Sequence, residues 1–313
     1  MQLGFIGLGT MGAGMALNIL KAGHHLTVND VNRDAAGPHL EAGAVWANSA
    51  REVAEASDIL FTSLPGPPEV ETVALGERGI LSGISPGKVY FDLSTNSPAL
   101  VRRIHDDFAV HGAHMLDAPV SGGPRGARSG RLAIWVGGDC EVFERCKPIL
   151  DAIGDQAFYV GPIGTGSIAK LVHNCTGYIL QTALAETLTM GVKAGVEPLA
   201  LWQAVRQGAL GRRRTFDGLQ QNYLPGRFDP PDFALRLARK DVALAVEVGR
   251  EFDVPMRLAN LTLAELTEAL NKGWDQRDSR AAMLLQEVRA GVEVRVAIDV
   301  IQEALEAEQE GRD

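Results

Sequence analysis

Lys170 stands where a lysine invites chemistry. It lies in Gly164-Thr165-Gly166-Ser167-Ile168-Ala169-Lys170-Leu171-Val172-His173-Asn174, the opening of an apolar run that reaches about Gly195. Nothing from Ser167 to Ala194 stops a helix: Gly177 and Gly191 are its weak points, and the first proline after the opening is Pro198. The run predicts one helix over 167–194, about 40 Å long. Glycines at 164 and 166 let the backbone approach a neighbour closely before the helix starts. Lys170 falls in the first turns and shares a face with Asn174, four residues on. The positive end of the helix dipole and burial both disfavour its ammonium form, which is what lets a lysine exchange a proton near neutral pH. The plainer alternative is a surface lysine snorkelling from a packed helix. Deciding between them needs the rest of the chain.

A second constellation sits at the start. Gln2 to Leu8 reads as a short apolar strand that runs into Gly7-Leu8-Gly9-Thr10-Met11-Gly12, and Met11 to Ala22 reads as a helix. In G-x-G-x-x-G between strand and helix, the first glycine permits the tight turn and the second admits a pyrophosphate to the backbone. The third lets helix and strand pack closely. Unpaired N–H groups at the helix start then hold the phosphates. With 35 glycines in the chain, the spacing alone is weak. A second strand over 25–30 strengthens it, because it ends in Asp30, where a ribose-binding carboxylate belongs.

Helices and strands then alternate, which predicts a parallel sheet. Helices are expected over 34–41, 49–56, 97–110 and 141–153, and strands over 44–46, 58–64, 88–93, 114–118, 132–136 and 157–160. Loops at strand ends are candidate cofactor contacts: Leu64 and Pro65 after one strand, Thr95 after the next. Ser97-Pro98 is the expected N-cap and first helical residue, leaving Thr95 to face a ligand. Ser121, Gly122 and Gly123 offer successive N–H groups for a carboxylate, or form an ordinary glycine turn. Beyond Gly195 the patterns are helical, over 198–207, 232–253, 256–271 and 279–289. The fold class is therefore α/β plus all-α: a Rossmann-type dinucleotide-binding domain over 1–163, then an all-helical domain over 164–313 joined to it by the long interdomain helix. Lys170 is expected in the cleft between them.

A net charge of −9 over 313 residues argues against nucleic acid as the main partner. Cys140, Cys146 and Cys175 show no paired spacing and read as small buried hydrophobes in a reducing compartment. The start has no basic stretch before an apolar core, and no run is long enough to span a membrane. A cytoplasmic protein is expected. No carboxylate–histidine cluster has metal-ligand spacing, so no metal is expected.

Together these residues resemble the β-hydroxyacid dehydrogenase family, the group of 3-hydroxyisobutyrate dehydrogenase and tartronate semialdehyde reductase. Four signatures carry the resemblance: 4–12, Asp117-Ala118-Pro119-Val120-Ser121-Gly122-Gly123, the Gly164-x-Gly166-x-x-x-Lys170-x-x-x-Asn174 run, and Lys240-Asp241. It implies hydride transfer between a nicotinamide cofactor and a small 3-hydroxy acid. Lys170 would be the general acid/base, Asn174 would hold the substrate, and Ser121, Gly122 and Gly123 would bind its carboxylate. Gly7, Gly9, Thr10, Met11, Gly12, Asp30, Leu64, Pro65, Thr95 and Lys240 would form the cofactor site. On pattern alone Lys240 is a solvated lysine. His173, a turn from Lys170, is the rival proton carrier; the resemblance makes it a packing residue. Imine reduction and a non-catalytic dinucleotide-binding scaffold are the alternatives. Relatives of those kinds differ at, or have lost, the Lys170 position.

Further expectations follow. Asp30-Val31 favours NAD, with NADP still possible, since a carboxylate repels a 2′-phosphate; nearby Arg33 weakens this. A homodimer or homotetramer is expected. Val292, Val294 and Val296 alternate, and Ile298, Ile301 and Leu305 recur at helical spacing, so the C-terminal stretch is expected on a partner subunit, with packing on its own domain the alternative. Arg212-Arg213-Arg214 is either a solvated run or a contact for a second anionic group on the substrate.

Overall fold

The structure is a computed structural model that describes residues 1–193, 195–208, 217–251 and 256–310. It divides into two compact units, Met1–His173 and Asn174–Asp313.

The first unit is one nine-stranded sheet. Its strands are β1 (Gln2–Ile6), β2 (His25–Asn29), β3 (Val45–Trp46), β4 (Ile59–Thr62), β5 (Val89–Asp92), β6 (His114–Asp117), β7 (Val120–Ser121), β8 (Leu132–Gly137) and β9 (Gly154–Gly161). They lie in the order β3-β2-β1-β4-β5-β6-β8-β7, with β9 on β8. From β3 to β6 all pairs are parallel. β8 runs antiparallel to both β6 and β7, so the expected parallel sheet acquires a reversed edge. The helices of this unit are α1 (Gly12–Lys21), α2 (Gly37–Glu41), α3 (Ala50–Ala56), α4 (Pro67–Leu75), α5 (Pro98–Val110), α6 (Gly123–Ser129) and α7 (Cys140–Leu150).

Central strands are buried on both faces, which is why they read as unbroken apolar runs. Phe5, Phe61 and Phe91 stack across β1, β4 and β5 on one face. Leu60 and Tyr90 point into the core on the other. Strand order turns around between β1 and β4, and a doubly wound sheet opens its ligand crevice at such a reversal. α4 and α6 have no counterpart in the sequence reading. α4 opens on Pro67 and α6 on Gly123-Pro124, and α6 carries Gly126 as well, so their composition imitates a loop. Of the three cysteines, Cys146 and Cys175 are buried as expected, whereas Cys140 is exposed. It is the first residue of α7, just after the Asp139 cap, where helix ends meet solvent.

α8 (Thr165–Lys193) begins in the first unit and continues into the second. The second unit adds α9 (Pro198–Gln207), α10 (Leu235–Glu251), α11 (Arg257–Ala269), α12 (Leu284–Ala290) and α13 (Ile298–Glu310). Trp202, Tyr223, Phe228 and Met283 centre its main core. Val294, Val296 and Ile301 are buried in that same core. Three residues of the C-terminal stripe thus pack on their own unit, the alternative to a partner subunit, while Val292, Ile298 and Leu305 are half-buried. The Val296 N–H donates to the Leu224 carbonyl at 2.8 Å, and Arg295 pairs with Glu287 at 2.8 Å. Among the described residues, no helix is long and apolar enough to cross a membrane.

Candidate active site

The glycine turn after β1 is packed where packing is needed and open where a ligand would come. A Cβ on Gly12 would lie 1.8 Å from the Gly7 carbonyl oxygen, so only glycine lets α1 start there. A Cβ on Gly9 would meet nothing within 4 Å, and Gly9 and Thr10 are exposed. Met11 precedes α1 without a side-chain cap, and the first N–H groups of any α-helix lack intrahelical partners. Asp30, at the end of β2, is pinned toward this turn. Its Oδ2 accepts the Leu8 N–H at 2.6 Å and its Oδ1 the Asn32 N–H at 2.7 Å. A carboxylate oxygen has a second lone-pair direction for a ribose hydroxyl. Arg33 lies over the Trp46 ring, 5.6 Å from its centroid. These residues fit a dinucleotide: an open, uncapped helix start for the pyrophosphate and a fixed acid for the ribose.

The loops after β4 and β5 are tied to each other by a carboxylate that sequence reading missed. Asp92 is fully buried. It accepts hydrogen bonds from the Thr62 hydroxyl (2.9 Å), the Ser94 N–H (3.0 Å) and Asn96 Nδ2 (2.9 Å). Ser94 Oγ in turn accepts the Leu64 N–H at 2.9 Å. Burial pushes the Asp92 carboxyl pKa up, against the pull of these donors. Leu64 and Thr95 are half-buried and Pro65 is exposed. Ser97 occupies the cap position of α5 but makes no side-chain cap bond. The expected cap and first helical residue, Ser97 and Pro98, are thus in place, and the Ser97 N–H donates to Asn96 Oδ1 at 2.7 Å.

β7 ends at Ser121, and Gly122 and Gly123 follow with φ of +136° and +62°. Both glycines are exposed at the start of α6.

Lys170 is 9 % exposed, rare for a lysine. Its Nζ lies over the Trp135 ring, 6.0 Å from the centroid. His173 packs on the same ring at 5.1 Å and is itself exposed. The start of α8 rests on Asp117, at the end of β6. Asp117 Oδ1 accepts the Gly164 N–H at 2.7 Å and Oδ2 the Ser167 N–H at 2.6 Å. Burial raises this carboxyl pKa too, and the two backbone donors lower it. Trp135, Asp92 and Asp117 are the residues sequence reasoning did not single out. The available signal was an acid closing each of two successive strands, and Asp92 and Asp117 are register partners.

In the second unit, Asn174 Nδ2 donates to Asp241 Oδ2 at 2.5 Å. Lys240 Nζ lies 3.0 Å from Asp241 Oδ1. Asp241 is fully buried, so Lys240 is an ion-pair partner, not the solvated lysine its pattern suggests. Arg212, Arg213 and Arg214 lie outside the described residues.

Comparison with known proteins agrees along nearly the whole chain. Residues 2–161 match the family described as the NAD binding domain of 6-phosphogluconate dehydrogenase. Residues 164–286 match the one described as NAD-binding of NADP-dependent 3-hydroxyisobutyrate dehydrogenase. The NAD-dependent L-serine dehydrogenase of Pseudomonas aeruginosa is 36% identical over 88% of this chain and 95% of its own. The 2-hydroxy-3-oxopropionate reductase of Escherichia coli is 39% identical over 79% of this chain and 84% of its own. The crystal structure of 3-hydroxyisobutyrate dehydrogenase from Salmonella typhimurium superposes with a TM-score of 0.80 at 30% identity, covering 91% of this chain and 99% of that one. Both halves match in order, and the nucleotide turn is built to fit its ligand. The chain belongs to the β-hydroxyacid dehydrogenases, NAD(P)-dependent oxidoreductases of small hydroxy acids.

Proposed function

We propose that the protein transfers hydride between NAD and a small 3-hydroxy acid, with Lys170 as general acid/base. The burial of Lys170 at the start of α8, against Trp135, supports the reading best. Bound nicotinamide supplies the hydride chemistry; the rest falls to this chain. In oxidation, the neutral Lys170 amine takes the hydroxyl proton as the carbon–hydrogen pair leaves; in reduction its ammonium returns that proton to the new alkoxide oxygen. Ser121, Gly122 and Gly123 hold the substrate carboxylate through backbone N–H groups, which fixes which carbon faces the cofactor. Asn174 orients the hydroxyl, its carboxamide held by Asp241. Asp30 takes the adenosine ribose, and Gly7, Gly9, Thr10, Met11 and Gly12 the pyrophosphate. Leu64, Pro65, Thr95 and Lys240 complete the cofactor site.

A panel of 3-hydroxyisobutyrate, glycerate, threonate, L-serine and 2-(hydroxymethyl)glutarate, each with NAD and NADP, tests the proposal by absorbance of reduced nicotinamide. Turnover of at least one of these acids is expected. Reduction of cyclic imines, with no turnover of any acid, would replace it with the imine reading.

A further inference from the structure

Asp117 belongs to the signature that ends in Ser121-Gly122-Gly123, yet no step above uses it. Its surroundings are unusual. Gly164 precedes α8, and its carbonyl accepts the first helical bond, from the Ile168 N–H at 3.1 Å, so Gly164 is the N-cap. Glycine has no side chain with which to cap. The missing acceptor comes instead from the end of β6, where the Asp117 carboxylate takes the N–H groups of Gly164 and Ser167 together. Space for this is cleared by glycines. A Cβ on Gly137 would lie 2.4 Å from Asp117 Oδ1, and one on Gly166 would lie 2.3 Å from the Trp135 carbonyl oxygen and 2.8 Å from that of Asp117. The helix start is therefore clamped against β6 and β8 by a buried, 1 % exposed carboxylate.

That clamp joins the two ends of the substrate site. Forward along the chain, Asp117 leads through Ala118 and Pro119 into Val120 and Ser121, the loop that holds the substrate carboxylate. Through its hydrogen bonds it holds Ser167, three residues ahead of Lys170. We infer that Asp117 is a positioning residue that sets the separation between the Ser121–Gly123 loop and Lys170, and so matches the site to acids whose hydroxyl stands at that distance from the carboxylate. The inference rests on the reading of Lys170 as the acid/base.

Asparagine is the discriminating replacement. Its carboxamide can accept one of the two N–H groups, but it turns an NH2 toward the other, which displaces the helix start. A displacement of about 1 Å at the reacting groups costs on the order of 10²-fold in rate. Asp117→Asn should therefore lower kcat on that order, while substrate KM and the dissociation constant for NADH, read by fluorescence titration, change less than about threefold. In a Lys170→Ala background, measured by single turnovers at high enzyme concentration, Asp117→Asn should lower the residual rate by less than about threefold, since a group acting through Lys170 has nothing left to position. Equal loss in both backgrounds overturns the inference and leaves the Lys170 assignment intact. Wild-type turnover in Lys170→Ala alone overturns the lysine reading and the inference with it. If Asp117→Asn does not fold, Asp117→Glu decides, because it keeps the charge and both acceptors but displaces them by one methylene. Loss of kcat supports positioning, and full activity shows that a buried charge suffices and overturns it.

Discussion

α1 and α8 both begin at glycine-rich turns, G-x-G-x-x-G in one and G-x-G in the other, and both lie beside a strand that ends in an acid. They use that acid in opposite ways. Asp30 accepts the N–H of Leu8, ahead of the helix, and leaves the uncapped start of α1 to an external anion. Asp117 accepts two N–H groups at the start of α8 itself, so that helix already holds its anion. A helix start with unmet donors attracts negative charge wherever it comes from. An acid one step back makes it a ligand site. An acid aimed at the first turn makes it a rigid mount, here for a lysine.

The largest effect expected from this contrast is at the mounted lysine. Lys170→Ala should lower turnover by roughly 10²-fold or more with NADH affinity nearly unchanged. Lys170→Arg should not restore it, because a guanidinium stays charged and cannot serve as the base. Steady-state kinetics beside fluorescence titration of NADH decides. A matched loss of cofactor affinity would mean that α8, like α1, serves the dinucleotide.

The glycines of the α1 turn sharpen the same contrast. Gly9→Ala places a methyl in open space, so the cofactor-free melting temperature should stay as it is. NADH should nonetheless bind at least about tenfold more weakly, about 1.4 kcal/mol, because the methyl occupies the approach to the pyrophosphate. Gly12→Ala forces the turn apart and should lower stability even without cofactor. Equal melting temperatures for these two variants would contradict the packed-versus-open division of the turn.

How much of this was legible in the sequence depends on how local each interaction is. The α1 turn is written in six consecutive residues, and Lys170 and Asn174 sit on one helical period, so both could be read directly. Asp117 could not: its donors lie 47 and 50 residues away, and the Thr62 partner of Asp92 lies 30 away. Such pairings follow from strand order, which periodicity does not encode. α4 and α6 were hidden by the prolines in their first turns. The stripe through Val294, Val296 and Ile301 was legible as a face that needs cover, and these three pack on their own unit, but the choice between that and a partner was not legible, since a period reports that a face is covered and not by what.

Asp30 carries the next smaller effect. Both its oxygens are held by backbone donors, so the carboxylate stays in place when a 2′-phosphate arrives. Catalytic efficiency with NAD should exceed that with NADP by about tenfold or more, and Asp30→Ala should narrow the ratio chiefly through KM for NAD. Comparable efficiency of the wild type with both cofactors would show that Arg33, now over Trp46, turns to meet the phosphate.

The smallest expected effect belongs to the ring on which the mounted lysine rests. Lys170 and His173 both lie on Trp135, so the indole supports the helix after Asp117 has fixed its start. A cation–ring contact of this length is worth about 0.5–1 kcal/mol, or roughly two- to fivefold in a rate that depends on where the amine sits. Trp135→Phe retains a ring and should stay within about twofold of the wild-type kcat, whereas Trp135→Leu should lose up to about fivefold. His173→Ala removes a neighbour of the ring and should resemble Trp135→Phe, far milder than Lys170→Ala. If His173→Ala abolishes turnover while Lys170→Ala retains it, the ring supports a catalytic histidine instead, and α8 is a mount for a different residue.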